Sequence, residues 1–210
     1  MMRIRAYTLD VHVGHAPCWM YDPARNCELL TLANCKPLIR DVASEGEWIA
    51  GVTPTRMGHR LAYLMRVGER ITRFQYWERY KDSRLDSIYR PKANGGWKQL
   101  KNPWHFNEES FTRDLSSDWV LLSRDFYVFA NSYSGSETNP RGLVLPDEYS
   151  ELARGGMRGY GHFIDLPDTF LPSIQKLARL ELADFRVLRD FGDDGCGCCQ
   201  DEVVSSETCQ

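Results

Sequence analysis

Leu32-Ala33-Asn34-Cys35-Lys36-Pro37-Leu38-Ile39-Arg40, followed closely by Gly46-Glu47-Trp48-Ile49-Ala50-Gly51, joins an apolar segment, a cation-bearing helix start and a tryptophan strand within twenty residues. Thr31 or Asn34 can cap the helix that follows, Pro37 suits its first turn, and Gly46 can end it. Lys36 then falls where the free amides of a helix start favour an anion, so a phosphate or carboxylate ligand is expected there, with Arg40 beside it. The other reading is a short amphipathic helix whose Leu38, Ile39, Val42 and Ala43 face the core while Lys36 and Arg40 are solvated. Spacing alone favours the second.

Upstream of this stretch, Ile4 to Val13 alternates as a first strand, and a turn-rich loop through Gly14, Pro17, Asp22, Pro23 and Asn26 leads to the helix. Downstream, Trp48 to Val52 and Leu61 to Val67 are apolar runs separated by a polar segment with two cations, which predicts a hairpin. Thr72 and Gln75 form a capping box for a short helix carrying Phe74 and Trp77, both expected in the core. Trp119 to Ala130 reads as a strand pair or one long bent strand, interrupted by Ser123-Arg124-Asp125, the kind of break that marks a bulge or a site. Residues 131–159 read as a loop or lid, and Asp168 is expected to cap a final helix through Ile174, Leu177 and Ala178. Short strands with inserted helices predict an α+β fold: a mainly antiparallel, partly open β-barrel with a C-terminal helix.

The chain has 210 residues, 42% of them hydrophobic and 12% aromatic, enough for one real core. Its net charge of −3 excludes a polycation, so any nucleic-acid contact must come from a local patch. No apolar run is long enough for a membrane span and no signal-peptide pattern opens the chain, so a cytoplasmic location and no membrane partner are expected. Residues 1–190 are read as one domain and 191–210 as a flexible tail. The tail holds Cys196, Cys198, Cys199 and Cys209, whose spacing lacks the two-residue gap of zinc knuckles. A thiol-rich tail without metal is the favoured reading, and no cofactor is expected.

Several blocks in order form a recognisable pattern: Ala16-Pro17, Leu30-Thr31-Leu32-Ala33, Cys35-Lys36-Pro37, Ile39-Arg40, the Gly46 to Gly51 strand, Met65-Arg66-Val67, Tyr76-Trp77, Asp86 with Ile88-Tyr89, Trp97 with Gln99, Val120-Leu121-Leu122-Ser123 with Phe126 and Phe129, and Gly161-His162. The chain resembles the type-two nucleotide modification associated domain, a family of bacteria and phages linked to DNA base modification. The similarity runs from about Tyr7 to about Leu177. Departures from the family pattern are Glu47, Ser87, Val128, Ala130 and Tyr160; the last stands where an arginine normally precedes Gly161-His162. The resemblance implies a role in handling modified nucleotides, with DNA or a nucleotide as partner. The strand-helix order also looks like the small PUA, ASCH and EVE barrels that read bases, an analogy of fold.

A modified-base pocket needs ring walls, groups that read a base edge, and cations for phosphate. The ring candidates are Trp48, Tyr89 and Trp97, the cations Lys36 and Arg40, and the edge readers Asn34, Ser123 and Asp86. The core reading of each ring stands beside the platform reading. Catalysis would call on His162 or His105 as the proton shuttle and on Asp86 to orient the substrate, with Asp125 a further acid. Cys35 is a conceivable nucleophile beside Lys36, although a buried, unreactive thiol is the favoured reading. No Walker loop, dinucleotide fingerprint, zinc-protease motif or nucleophile elbow is present. Two readings follow: recognition of a modified base, slightly favoured, or an enzyme acting on a base or nucleotide.

Overall fold

The computed structural model describes residues 1–9, 17–102, 105, 107–129, 142–155, 163–181 and 186–188. In chain order the first elements are β1 (Met2–Thr8), β2 (Cys18–Asp22), β3 (Cys27–Leu32), α1 (Pro37–Val42), β4 (Trp48–Val52), β5 (Leu61–Arg66), β6 (Glu69–Thr72) and α2 (Arg73–Tyr80). They are followed by β7 (Tyr89–Pro91), β8 (Trp97–Gln99), α3 (Glu108–Leu115), β9 (Trp119–Ser123), β10 (Asp125–Val128), α4 (Ser150–Gly155), β11 (Phe163–Leu166), α5 (Phe170–Glu181) and β12 (Arg186–Leu188).

The fold is mixed α+β. One sheet has the order β11-β1-β4-β5-β10-β12, a second β2-β3-β9-β6, and β7 pairs with β8 as a separate ribbon. Strands β1 and β4 are parallel, whereas the other strand pairs are antiparallel. The two larger sheets do not close into a barrel, which corrects the barrel expectation. The cause is visible at Ser123-Arg124-Asp125, where the chain leaves the second sheet at the end of β9 and enters the first at β10. The polar break in the longest apolar run is therefore a corner between layers.

Side-chain alternation builds three apolar layers from two sheets. Leu30, Leu32, Leu121, Phe126, Met65 and Ile49 share one cluster drawn from both sheets. On β10, Tyr127 points the other way, joining Ile4, Ala50, Leu64, Phe170 and Ile174 beneath α4 and α5. On β9, Val120 and Leu122 join Tyr76 and Tyr80 of α2 on the outer face of the second sheet. Full burial of each such side chain is worth roughly 1.5–3 kcal/mol.

Local chemistry explains the helix starts. The Thr72 capping box opens α2: its hydroxyl accepts from the Gln75 amide, and the Gln75 side chain accepts from the Thr72 amide. Trp77 is buried as expected, while Phe74 is exposed. Pro37 does begin α1, but neither Thr31 nor Asn34 caps it; Lys36 holds that position with φ 45° and ψ 50° and no side-chain cap. Helix α1 ends at Val42 with Ala43 extended, and Gly46 serves the turn before β4 at φ 85°. The expected 131–159 loop contains, in its described part, α4 with a buried Leu152. His162 and the tail cysteines lie outside the described residues. Among the described residues no helix is long and apolar enough to cross a membrane.

Candidate active site: a thiol, an imidazole and a carboxylate

The segment between β3 and α1 carries two consecutive non-glycine residues in the left-handed region, Cys35 at φ 56° and Lys36 at φ 45°. Each such residue costs on the order of 1–2 kcal/mol unless surrounding contacts hold it. The contacts are present. The Cys35 amide donates to Asp114 Oδ1 at 2.7 Å, and its carbonyl accepts from Arg40 Nε at 2.9 Å.

Arg40 is wholly buried, and its other nitrogens donate to the Ser117 and Trp119 carbonyls at 3.1 and 2.6 Å and to the Asp114 carbonyl at 2.7 Å. Arg73, also buried, donates to the same Asp114 carbonyl at 2.8 Å, to the Ala33 carbonyl at 2.9 Å and to Asn34 Oδ1 at 3.3 Å. Two guanidinium groups therefore fasten the Cys35 loop to the end of α3. Carbonyl acceptors surround Arg40 and meet the outer nitrogens of Arg73, whose Nε alone is left without an acceptor, the arrangement that makes a buried arginine tolerable.

Helix α3 starts at Asn107, whose side chain accepts from the Ser110 amide at 2.8 Å. Its buried positions are Ser110 and Asp114, one turn apart. Asp114 Oδ2 accepts from Tyr89 Oη at 2.8 Å and meets His105 Nδ1 at 2.5 Å. The far side of the imidazole, Nε2, lies 3.8 Å from Cys35 Sγ. His105 is set in place by its own backbone: its amide donates to Asn102 Oδ1 at 3.0 Å, and its carbonyl accepts from Gln99 Nε2 at 2.6 Å. Carboxylate, imidazole and thiol thus stand in line, with the thiol half-buried and the other two buried.

The electrostatics follow from this order. Burial opposes the His105 cation, but the Asp114 hydrogen bond, Cys35 and the Asp114 charge outweigh it and push the pKa up to about 9. Burial also opposes the Asp114 carboxylate, and the His105 and Tyr89 contacts more than offset it, leaving its pKa below the ordinary value. Burial, then Asp114, pushes the Tyr89 phenol up, so it remains a donor. The pair is accordingly an imidazolium and a carboxylate at neutral pH, with Nε2–H facing the sulfur.

The ligand atoms of Cys35, His105 and Asp114 lie within 4.8 Å of one another. Cys35 Sγ and His105 Nε2 could hold a thiophilic ion such as zinc, with Asp114 behind the histidine as its orienting partner. Both Asp114 oxygens already accept hydrogen bonds, which suits that supporting role better than direct ligation.

The remaining candidates take other positions. Asn34 is buried, donating to the Asp86 carbonyl at 2.8 Å. Asp86 lies in a buried network, accepting from Thr31 Oγ1 and Tyr76 Oη at 2.6 Å each, with Arg84 Nε at 3.6 Å. Lys36 Nζ donates to the Thr8 carbonyl at 2.8 Å and sits 5.0 Å from the centre of the Tyr7 ring. Trp48 stacks on Tyr127 at 6.1 Å, Tyr89 packs edge-on against Phe111, and Trp97 is half-buried on the β7–β8 ribbon. Ser123 is buried and donates to the Asp125 carbonyl at 2.8 Å. It lines a cleft of about 700 Å³ with Arg25, Arg66 and Arg124, to whose walls Cys35, His105 and Asp114 do not contribute. Asp114 and Arg73 were not legible as site residues; the available signal was a helix, Glu108 to Leu115, whose buried stripe is Ser110 and Asp114 instead of two apolar residues.

No curated protein and no solved structure matches the chain. The family model for nucleotide modification associated domain 2 matches residues 1–144, a span that includes Cys35, His105 and Asp114. With more than two thirds of its length inside that match, the chain belongs to the nucleotide modification associated domain 2 family.

Proposed function

We propose that this protein is an enzyme of nucleotide or base modification in which Cys35 is the nucleophile, His105 the proton carrier and Asp114 the residue that orients and charges the imidazole. The observation that carries the reading is the line from Asp114 Oδ2 to His105 Nδ1 at 2.5 Å and from His105 Nε2 to Cys35 Sγ at 3.8 Å. A nucleophile, a base within reach and a third group orienting the base is the arrangement that covalent catalysis requires. Backbone strain at Cys35 and Lys36 adds support, since strained residues held by many contacts cluster at reactive sites.

In the reactive form the sulfur is an anion and the imidazole a cation. The sulfur adds to an electron-poor carbon of a base, or of a group attached to one, forming a C–S bond as the π pair of that carbon moves to its neighbouring nitrogen, oxygen or carbon. The proton on His105 Nε2 passes to the atom that received the pair, and Asp114 stabilises the imidazolium until it does. Asp114 itself keeps its charge, because its three described donors persist through the step. DNA or a free nucleotide is the substrate class to which the family membership points.

The test incubates the purified protein with nucleotides and with oligonucleotides, unmodified or bearing methylated or hydroxymethylated bases, and follows both substrate and protein by mass. Turnover or a Cys35-linked adduct that disappears in Cys35→Ser and His105→Gln is the expected result. Selective binding with unchanged masses would instead support a reader of modified bases, the reading that the composition of rings and cations favours.

A further inference from the structure

Arg113 stands beside the thiol and takes no part in the line of Asp114, His105 and Cys35. Its Nη2 is 3.7 Å from Cys35 Sγ and 3.4 Å from Ser110 Oγ, and its Nε is 3.6 Å from Asp114 Oδ1. Unlike Arg40 and Arg73, it is not wrapped in carbonyls: its side chain is 43% exposed, and its Nη1 has no hydrogen-bond partner among the described residues. A surface guanidinium held against a half-buried sulfur therefore opens one side of its donor fork to solvent.

Two cationic side chains reach the sulfur itself, Arg113 and His105, and Asp114 is the carboxylate that both of them touch. The buried Arg40 and Arg73 stand behind them on the carbonyls of Cys35, Ala33 and Asp114. The carboxylate is already engaged by His105 and Tyr89 and by the Cys35 amide. Asp86, which touches Asn34 through its carbonyl, has its own partner in Arg84. The cleft lined by Arg25, Arg66 and Arg124 offers no such excess, since Glu45, Glu69 and Asp125 line it together with its arginines.

Resting on the thiol reading above, we propose that Arg113 makes this site selective for substrates carrying an oxyanion, a phosphate or carboxylate, close to the atom that Cys35 attacks. The Nη1 end of the planar guanidinium suits an oxygen of such a group, and partial exposure lets it accept the ligand while Nε and Nη2 keep their contacts to Asp114, Ser110 and the sulfur. Arg113 is a specificity residue here, distinct from the residues that move the proton.

Two alkylating reagents of equal size and different charge test this on the intact protein. The second-order rates of Cys35 modification by iodoacetate and by iodoacetamide are measured at pH 7 and low salt, with the labelled cysteine identified by peptide mass. In the wild type, iodoacetate is expected to react at least as fast as iodoacetamide, the reverse of a free thiol. In Arg113→Gln the iodoacetate rate falls roughly fivefold or more relative to iodoacetamide, and Arg113→Lys retains most of the preference. Circular dichroism verifies that each variant is folded, as expected for an exposed position. Equal loss with both reagents would show that Arg113 only positions the site and would overturn the proposal, as would an unchanged ratio in a fast-reacting protein. If Cys35 reacts with both reagents no faster than free cysteine, the thiol reading itself falls and this proposal with it.

Discussion

The His105–Asp114 pair sets the pH behaviour of the protein. The folded pKa of His105, about 9, lies above its ordinary value of 6.5, so its contribution to stability is complete below about pH 6.5 and is lost as pH rises through about 9. Asp114 acts in the opposite sense: its folded pKa is depressed, so its contribution is present above its ordinary value of 3.8 and is lost as pH falls through the folded value. Between these limits the displacement of His105, which Asp114 and Cys35 produce together against burial, corresponds to about 3 kcal/mol. Denaturant unfolding of wild type and His105→Gln at pH 5.5, 7.5 and 9.5 checks this, with the wild-type advantage shrinking at the highest pH. A constant difference across that range would show that the imidazole does not fold as a cation. At this scale the sequence was half legible: Cys35 and His105 were both in view, but their meeting was not. They stand 70 residues apart, and only the packing of α3 against the Cys35 loop joins them. Arg40 was read as a phosphate ligand or a solvated cation, yet it is fully buried, because the strained Cys35 loop, the end of α3 and the start of β9 present four carbonyls to its guanidinium, that of Asp114 shared with Arg73.

Elements were more legible than contacts. The hairpin of β4 and β5, the capping box of α2 and the succession of strands β9 and β10 all follow from period and turn chemistry. What period could not tell is that β9 and β10 belong to different sheets, since a corner and a bulge leave the same polar interruption. The tryptophan strand carries a tighter constraint than its pattern suggests. A Cβ on Gly51 would come within 2.2 Å of the Tyr63 ring, and Tyr63 is fully buried with its hydroxyl bonded to Tyr7. Gly51 is thus required for space. Gly51→Ala is expected to cost about 3 kcal/mol, the upper end for overpacking, because the ring has nowhere to retreat. Thermal or urea unfolding measures it, and a loss below about 0.5 kcal/mol would mean that Tyr63 adapts freely.

Over the whole molecule, the family match and the cooperative core have different extents. The match ends at residue 144, whereas Leu152 of α4, Phe170, Ile174 and Ala178 of α5, and Ile164 and Leu166 of β11 cover the outer face of the first sheet. Strand β11 also supplies the hydrogen-bonding partner of β1. At roughly 1.5–3 kcal/mol for each large buried side chain, their loss is as large as the ~5–15 kcal/mol that holds a typical domain together. A fragment of residues 1–144 is therefore expected to lose the sigmoidal thermal transition of the full chain and to aggregate, as followed by circular dichroism and gel filtration. A cooperative, monomeric fragment would show that the matched region folds alone. The sequence predicted α5 but not the layered arrangement: runs such as those of β4 and β5, apolar on both faces, show that a strand is covered on two sides without showing by which elements.

Activation of Cys35 by His105 and Asp114 is the claim on which the functional account rests, and alkylation at pH 6 reaches it without a known substrate. At that pH an ordinary thiol is almost wholly protonated and slow. Iodoacetamide rates are measured for Cys35 in the wild type, His105→Gln and Asp114→Asn, with Cys18 and Cys27 as internal references read from the same digest. The account predicts that Cys35 reacts roughly tenfold or more faster than free cysteine and that either substitution removes the advantage. A Cys35 that reacts like free cysteine in all three proteins would contradict it.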